Sequence, residues 1–568
     1  MSNSVLGDQA SIGNSSEKRW LFAALTIALV YSLLALRLAF RLPCLVQDDA
    51  RQHVFWMRRY LDPALFPNDL IADYFQTVAP AGYKAFYWIF AKFGVDPMLL
   101  AKLLPAAIGL LGAYLAFRVF MELLPDPRGA FIASVLICQM LWIKDDVMSA
   151  TPRAFGYPLF LLFVLLFLRR SFFACSVVLV LEGLFYPPGM IISAGLPVLN
   201  LIQRDAGRFR FSCTRSDYVF CAAVIVLAAL FSIGFENSAA SYGPIISAKT
   251  ARAMREFGPE GRTSFFHPGL GFWLTNQRTG FFPRKVPAPI FWGGLIFFLL
   301  YAFGKFPGRQ RMRKALSFIL RLLLVLFGLW AVAHAFLFKF YLPSRYSQWV
   351  LYLLEPIVAA VAISTLFDAS KRWTTAQIQI QPWMIQAAKM SLYLAGIALL
   401  LYPHFRKGLP RDSYLEGKSP KLYAYLQTQP KDVRIASLTE SDMIPTFAQR
   451  STLASAEYAI PYHQGYYRQI RERGQDLVRA HYSSRLDEVQ EFIRKHHVDL
   501  WIVDRRTFQP GFPSHAFWFR DVVPMADIEQ RLEQGEEPML ARLVPRCKVW
   551  EDEKNIVLDA HAIERATP

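Results

Sequence analysis

"WLFAALTIALVYSLLALRLAF" (residues 20–40) carries a single charged side chain, Arg37. A helix of that length rises about 30 Å, the thickness of a bilayer's hydrocarbon core. The run lacks a small-residue cleavage site and is long for a signal peptide's apolar region, so it reads as an uncleaved first span. The rest of the 568-residue chain agrees, being 54% hydrophobic and 15% aromatic with 47 Phe and a positive mean hydropathy. Soluble proteins rarely combine those values. The expected fold class is an α-helical polytopic membrane protein. The net charge of +18 is accounted for by Arg and Lys in cytoplasmic loops and at headgroups, so no nucleic-acid partner is expected. The Cys residues at 44, 138, 175, 213, 221 and 547 show no CxxC spacing. Neither a disulfide framework nor a zinc site follows from them.

Working outward, apolar runs at 20–40, 98–121, 129–143, 155–168, 171–185, 188–202, 217–235, 287–304, 316–341, 347–367 and 386–403 give about eleven candidate spans. Basic clusters fall at Lys18/Arg19, Arg128, Arg169/Arg170, Arg204 to Arg215, 305–314 and Lys371/Arg372. With the N-terminus cytoplasmic, every one lands inside, as the positive-inside rule requires for a plasma or inner membrane. "GYKAFYWIFAKFG" (82–94) is aromatic and bears two Lys. It reads as an interfacial helix that does not cross. Residues 42–97, 144–154, 236–286, 342–346 and everything after 403 then lie on the extracytoplasmic side. The basic stretch at 249–262 falls there too, in a long loop largely exempt from the charge rule.

From 404 onward short alternating runs appear at 433–438, 451–456, 498–504 and 555–560, while 485–497 has a helical period. Residues 404–568 therefore read as a small extracytoplasmic α/β domain, set on a membrane domain of residues 1–403.

The first span runs directly into "LVQDDARQHVFW" (45–56). In a short helix Asp49 and His53 are i,i+4 neighbours, as are Asp48 and Gln52. A carboxylate at a low-dielectric interface can act as a base or bind a cation; the bland alternative is helix capping. "KDDVMSATPRAF" (144–155) repeats the pattern with Asp145, Asp146 and Arg153. Two acidic pairs in loops on one side favour a functional reading. Pro152 and Pro158 suggest a shaped, re-entrant loop around Arg153, which could clamp a phosphate or snorkel. In "YLPSRY" (341–346), Arg345 sits at the outer end of an apolar run, well placed for a lipid-linked phosphate. Glu182 and Glu355 lie within spans, where ionisable groups are functional candidates by default; for Glu355 a structural pair with a neighbouring Arg is the preferred reading. "AEYAIPYHQGYY" (456–467) offers His463 and Tyr466 in a loop-like setting, either as an acceptor-binding surface or as packing against the membrane domain.

One amino-terminal span, an acidic first outer loop, a second acidic motif between the third and fourth spans and an extracytoplasmic C-terminal domain resemble the GT-C superfamily. These are integral-membrane glycosyltransferases that use polyprenyl-phosphate sugars. The stretches that carry the resemblance are "QDDARQH", "DDVMSATPRAF" and "PSRY". The resemblance implies transfer of a hexose or pentose from a polyprenyl-phosphate donor to a glycan, lipid or protein acceptor at the bilayer. Asp48 or Asp49 would activate the acceptor, and Asp145 and Asp146 would serve a divalent metal (Mg or Mn) or the donor. Arg345 and Arg153 would hold the donor phosphate, with His53 and Glu182 in support. No WWD-type motif, the C-terminal signature of oligosaccharyltransferases, is present, which argues against peptide N-glycosylation. The adjacent Asp-Asp also departs from the spaced acidic pair of metal-dependent members. The rival readings are a non-catalytic membrane scaffold and a transporter, the latter expected to show repeat symmetry that this chain lacks.

Overall fold

Long helices with apolar flanks bundle because their side chains are worse off in water than against one another or lipid. The structure, a computed structural model, describes residues 2–567 apart from 206–207, 239, 304–308, 377–381, 403–408, 412 and 516–517. The boundary at 403/404, the ends of the 287–304 and 386–403 runs and the first part of the basic stretch 305–314 therefore lie outside the described residues.

Each of the eleven apolar runs is helical. They are α1 (Ser2–Ala39), then, after three short helices, α5 (Pro97–Leu123), α6 (Pro127–Ile143), α7 (Pro152–Leu168), α8 (Phe172–Phe185), α9 (Pro187–Asn200) and α10 (Arg215–Ser238). The helices Ala288–Phe303, Arg309–Ala335, Gln348–Ala376 and Pro382–Leu401 complete the set. Among the described residues, four have the length and composition to cross a membrane: Ser15–Ala39, Pro97–Leu123, Arg313–Ala335 and Gln348–Asp368. Others are shorter, α8 and α9 having fourteen residues each. Phe22, Leu33, Phe173, Val219, Leu324 and Phe327 are exposed along these helices. Such an apolar exterior suits lipid, not water, and the protein is an integral membrane protein. α1 packs on α5 and α6, and Gln348–Ala376 lies against α6 and Ala288–Phe303.

The segment at 82–94 forms α4 (Ala81–Lys92), a twelve-residue helix only about 18 Å long. Its inner face is Tyr83, Tyr87 and Ala91. Before it come α2 (Asp48–His53) and α3 (Leu70–Val78).

Toward the C-terminus the expected strands form, with two more, Tyr414–Glu416 and Lys548–Glu551, that alternation did not reveal. β1 (Leu45–Gln47) opens the first loop, and β2 (Ile202–Asp205) and β3 (Arg208–Phe211) make a hairpin. β4 (Tyr414–Glu416) returns to pair antiparallel with β1, Val46 opposite Leu415. A five-stranded sheet follows, in the order β6 (Ser451–Thr452), β5 (Arg434–Ser437), β7 (Leu500–Asp504), β9 (Asn555–Asp559), β8 (Lys548–Glu551). β6, β5 and β7 run parallel; β9 is antiparallel to β7 and β8. The helix Leu486–His496 buries Leu486, Val489, Phe492 and Ile493, the apolar stripe of its period.

This C-terminal part is stitched to the loops of the bundle. Arg51 bridges Glu457 at 2.8 Å and also pairs with Asp442. Arg262 reaches Glu457 at 3.3 Å, and Tyr467 donates to Glu256 at 2.6 Å. Residues 42–97, 240–286 and the sheet region thus share one face of the molecule.

Candidate active site

Both acidic motifs converge. α2 starts on Gln47, whose side-chain carbonyl accepts from the Ala50 N–H at 3.0 Å. The cap is therefore Gln47, and the Asp pair is left for other work. Asp48, 46% exposed at its side chain, pairs with Arg51 at 2.8 Å. Asp49 has neither an ion pair nor a side-chain hydrogen bond among the described residues. Burial pushes its carboxyl up to about 6; Arg153 opposes the rise, while Asp145, Asp48 and Asp146 add to it. Those neighbours show that the second loop lies within electrostatic reach of the first. His53 is driven down to about 4 by burial and by Arg153, so it stays neutral.

Two expected helical pairs do not form. No hydrogen bond joins Asp49 to His53, which packs edge-on to Phe75. Gln52 donates to the Glu457 carbonyl at 2.7 Å instead of meeting Asp48. The buried Arg51 recruits the C-terminal segment, and Gln52 follows it.

The second loop is a tight turn between α6 and α7. Pro152 stands in the first turn of α7, so Arg153 belongs to a helix start and not to a re-entrant loop. Ala150 adopts φ +49°, a left-handed conformation that costs a non-glycine residue energy. The Tyr87 hydroxyl of α4 donates to its carbonyl at 3.1 Å and helps hold it there. Asp146 is buried and fully engaged: Arg153 donates to Oδ1, Tyr157 donates to Oδ2 at 2.7 Å, and Lys144 lies 2.9 Å from Oδ2. Burial works to raise its pKa, but Arg153, Lys144 and Arg345 outweigh that and hold it well below the usual carboxylate range. Asp145 accepts from the Ser413 hydroxyl at 3.2 Å, while the Ser413 carbonyl takes the Asp48 N–H at 3.1 Å. One residue after the last helix thereby ties the two loops together.

Arg345, in the short turn Pro343–Tyr346, completes the cluster. It is close enough to Asp146, Lys144 and Tyr186 to perturb their charge. Its own side chain makes no ion pair or hydrogen bond among the described residues, and its Nε is buried without a partner. The Arg153 Nε is likewise unpartnered. Gly156 lets α7 approach Tyr186, where a Cβ would come within 2.9 Å of the ring.

Other candidates lie elsewhere. Glu182 is buried against Ser193, whose hydroxyl donates to it at 3.0 Å. Glu355 has no ion pair among the described residues, contrary to the expected pairing with Arg. Tyr466 is fully buried, stacked on Tyr74 at 3.6 Å and donating to the Tyr458 carbonyl at 2.8 Å. His463 shares a 2.9 Å hydrogen bond with the Tyr74 hydroxyl. Tyr466 is thus packed against the first loop and has no face to offer an acceptor, while His463 stays partly exposed. A ring with a polar tip serves either purpose, and only burial distinguishes them. Sequence reasoning missed Lys144, Tyr157 and Tyr186; Lys144 precedes the Asp pair directly but reads alone as a snorkelling residue.

No protein-family model matches the chain, and no curated protein matches its sequence. Solved structures do. The apo oligosaccharyltransferase of Archaeoglobus fulgidus is 14% identical, with a TM-score of 0.51 over 88% of this chain and 71% of that one. The oligosaccharyltransferase AglB from the same archaeon, in complex with an inhibitory peptide and a dolichol-phosphate, is 13% identical with a TM-score of 0.53, over 90% of this chain and 72% of that one. This chain shares the fold of these archaeal oligosaccharyltransferases. Identity this low carries the architecture alone.

The divalent metal implied by the GT-C resemblance does not fit Asp146, whose two oxygens are taken by two cations and a phenol. Asp48 is held by Arg51, which leaves Asp49 and Asp145. Among the described residues no group of three or more His, Cys, Asp or Glu is gathered as a metal would require.

Proposed function

We propose that this protein transfers a sugar from a polyprenyl-phosphate donor to an acceptor on the extracytoplasmic side of the membrane. The observation that carries the reading is Arg345. A half-buried guanidinium that makes no ion pair of its own among the described residues is costly unless a ligand supplies the anion. Arg345 gathers with Arg153 and Lys144 around Asp146, and Arg153 in turn is within electrostatic reach of Asp49, an acid whose pKa of about 6 suits a base working near neutrality. A scaffold would have no use for that arrangement.

The chemistry assigns each group a task. The donor's lipid tail lies among the helices and its phosphate meets Arg345, with the free edge of Arg153 adding to the hold. Asp49 accepts the proton of the acceptor hydroxyl as that oxygen bonds to the sugar's anomeric carbon. The bond from that carbon to the phosphate oxygen breaks, and its electron pair leaves with the polyprenyl phosphate. The developing phosphate charge is stabilised by guanidinium groups already in position, the kind of preorganisation that usually dominates enzymatic rate enhancement. Asp146 orients Arg153 and Lys144; it does not touch the substrates. The reading includes the eleven-span layout with a cytoplasmic N-terminus, and the division at 403/404 into a membrane domain and an outer domain.

Transfer of labelled sugar from polyprenyl-phosphate donors in membranes, measured from pH 5 to pH 8, tests this. The base works ionised, so activity is present above its pKa and lost below it. With Asp49 near 6, the rate should fall about tenfold between pH 7 and pH 5. A flat profile would remove Asp49 from the role of base.

A further inference from the structure

A cavity of about 220 Å³ opens next to the first acidic loop, between the C-terminal end of α1 and the N-terminal end of α5. Phe40, Gln47, Arg58, Asp96, Lys102 and Tyr414 are among its walls. Its rim is apolar and open: Phe40 is 50% and Leu99 42% exposed, both at the ends of helices that face lipid. A few polar groups are set among its apolar walls. Arg58 and Asp96 neutralise each other at 2.8 Å. Lys102 has no carboxylate within ion-pair distance among the described residues; its ammonium lies over the Phe40 ring, 5.2 Å from the centroid. The cavity therefore carries one uncompensated positive charge. Gln47 is 3% exposed and its Nε2 is buried without a partner, although its carbonyl is used in capping. In the chain, Gln47 and Ala50, both wall residues, flank the Asp48–Asp49 pair.

We infer that this cavity binds the phosphate-bearing headgroup of an anionic lipid, which enters sideways from the bilayer as the acceptor. An exposed apolar rim admits acyl chains, and a cation with an amide donor awaits an anion behind it. A soluble anion would gain nothing from the open Phe40 and Leu99 faces. The inference rests on the reading of Asp49 as the acceptor-side base. It gives Gln47 and Lys102 the task of holding the headgroup on a different wall from Arg345.

Binding is measurable without turnover. The full-length protein is placed in phosphatidylcholine nanodiscs doped with a photoactivatable phosphatidylglycerol, and labelling is mapped by mass spectrometry. Labelling is expected within 40–58 and 96–103, falling about tenfold in Lys102→Met and several-fold in Gln47→Leu, as expected for a lost charge-assisted contact. Lys102→Arg should restore it, separating charge from fold, and Arg345→Met should leave it unchanged. Equal labelling in Lys102→Met would overturn the inference. So would equal labelling by a photoactivatable phosphatidylcholine, or displacement of the lipid probe by inorganic phosphate. None of these outcomes depends on sugar transfer, so the inference and the proposed activity fail separately.

Discussion

Asp49→Asn should lower sugar transfer about a thousandfold and leave the protein as stable as before, or more so. The rate loss follows from general-base catalysis, which contributes roughly 10²–10⁴-fold; an amide keeps the shape of the carboxyl but cannot take the acceptor's proton. The stability expectation follows from the sign of the pKa shift. Asp49 titrates near 6 in the folded protein against an ordinary 3.8, so its ionised form is disfavoured by folding at neutral pH. Removing that charge relieves the cost, and no ion pair is broken. Transfer assays and thermal unfolding of the same purified sample check both halves. A variant with a much lower melting temperature would show that Asp49 holds structure, and full activity would show that it does no chemistry.

Arg51→Met should give the largest stability loss outside the apolar core. Arg51 is 7% exposed and serves three carboxylates: Asp48 and Glu457, each at 2.8 Å, and Asp442. Taking away one partner of a buried ion pair costs about 3–5 kcal/mol, because the charge left behind is uncompensated. Two features point to the lower end. Glu457 retains Arg262 at 3.3 Å, and burial already raises its pKa to about 7 despite both arginines, so it can neutralise by protonation. Unfolding of detergent-solubilised protein, followed by circular dichroism, should show a clear drop in midpoint. Arg51→Met combined with Glu457→Gln should lose less than the sum of the single variants, the mark of a direct coupling. An unchanged midpoint would mean that the remaining ties, the β1–β4 pairing, the Gln52 hydrogen bond and the aromatic contacts, hold the first loop to the C-terminal segment without Arg51.

The helices were legible because hydrophobic length is a local property: every apolar run became a helix, and the terminal strands followed their alternation. The edge strand Lys548–Glu551 escaped because it is largely exposed and has no apolar face to betray it. Pairings between distant parts of the chain were not legible. Nothing in "LVQ" says that it will meet "YLE" in β4, and nothing in "SYLEG" says that Ser413 will clasp both acidic loops. The acidic motifs announced a site, but their division of labour depended on unlike neighbours. Asp146 reads as a metal ligand until Lys144, Arg153 and Tyr157 close around it, and Asp49 reads as a cap until Gln47 is seen to do the capping. In the 456–467 stretch Tyr466 went to packing because Tyr74 of the first loop offered a ring to stack on.

The most direct test of the central claim is a single turnover by the purified protein in liposomes. A polyprenyl-phosphate donor carries the labelled sugar, and free polyprenyl phosphate and labelled acceptor are counted together. The expected result is one polyprenyl phosphate released for each sugar transferred by the wild type, with Arg345→Met binding donor weakly and turning it over at least a hundredfold more slowly, the order expected for loss of one transition-state charge contact. Donor that stays intact with the wild type, or turnover unaffected by Arg345→Met, would contradict the claim.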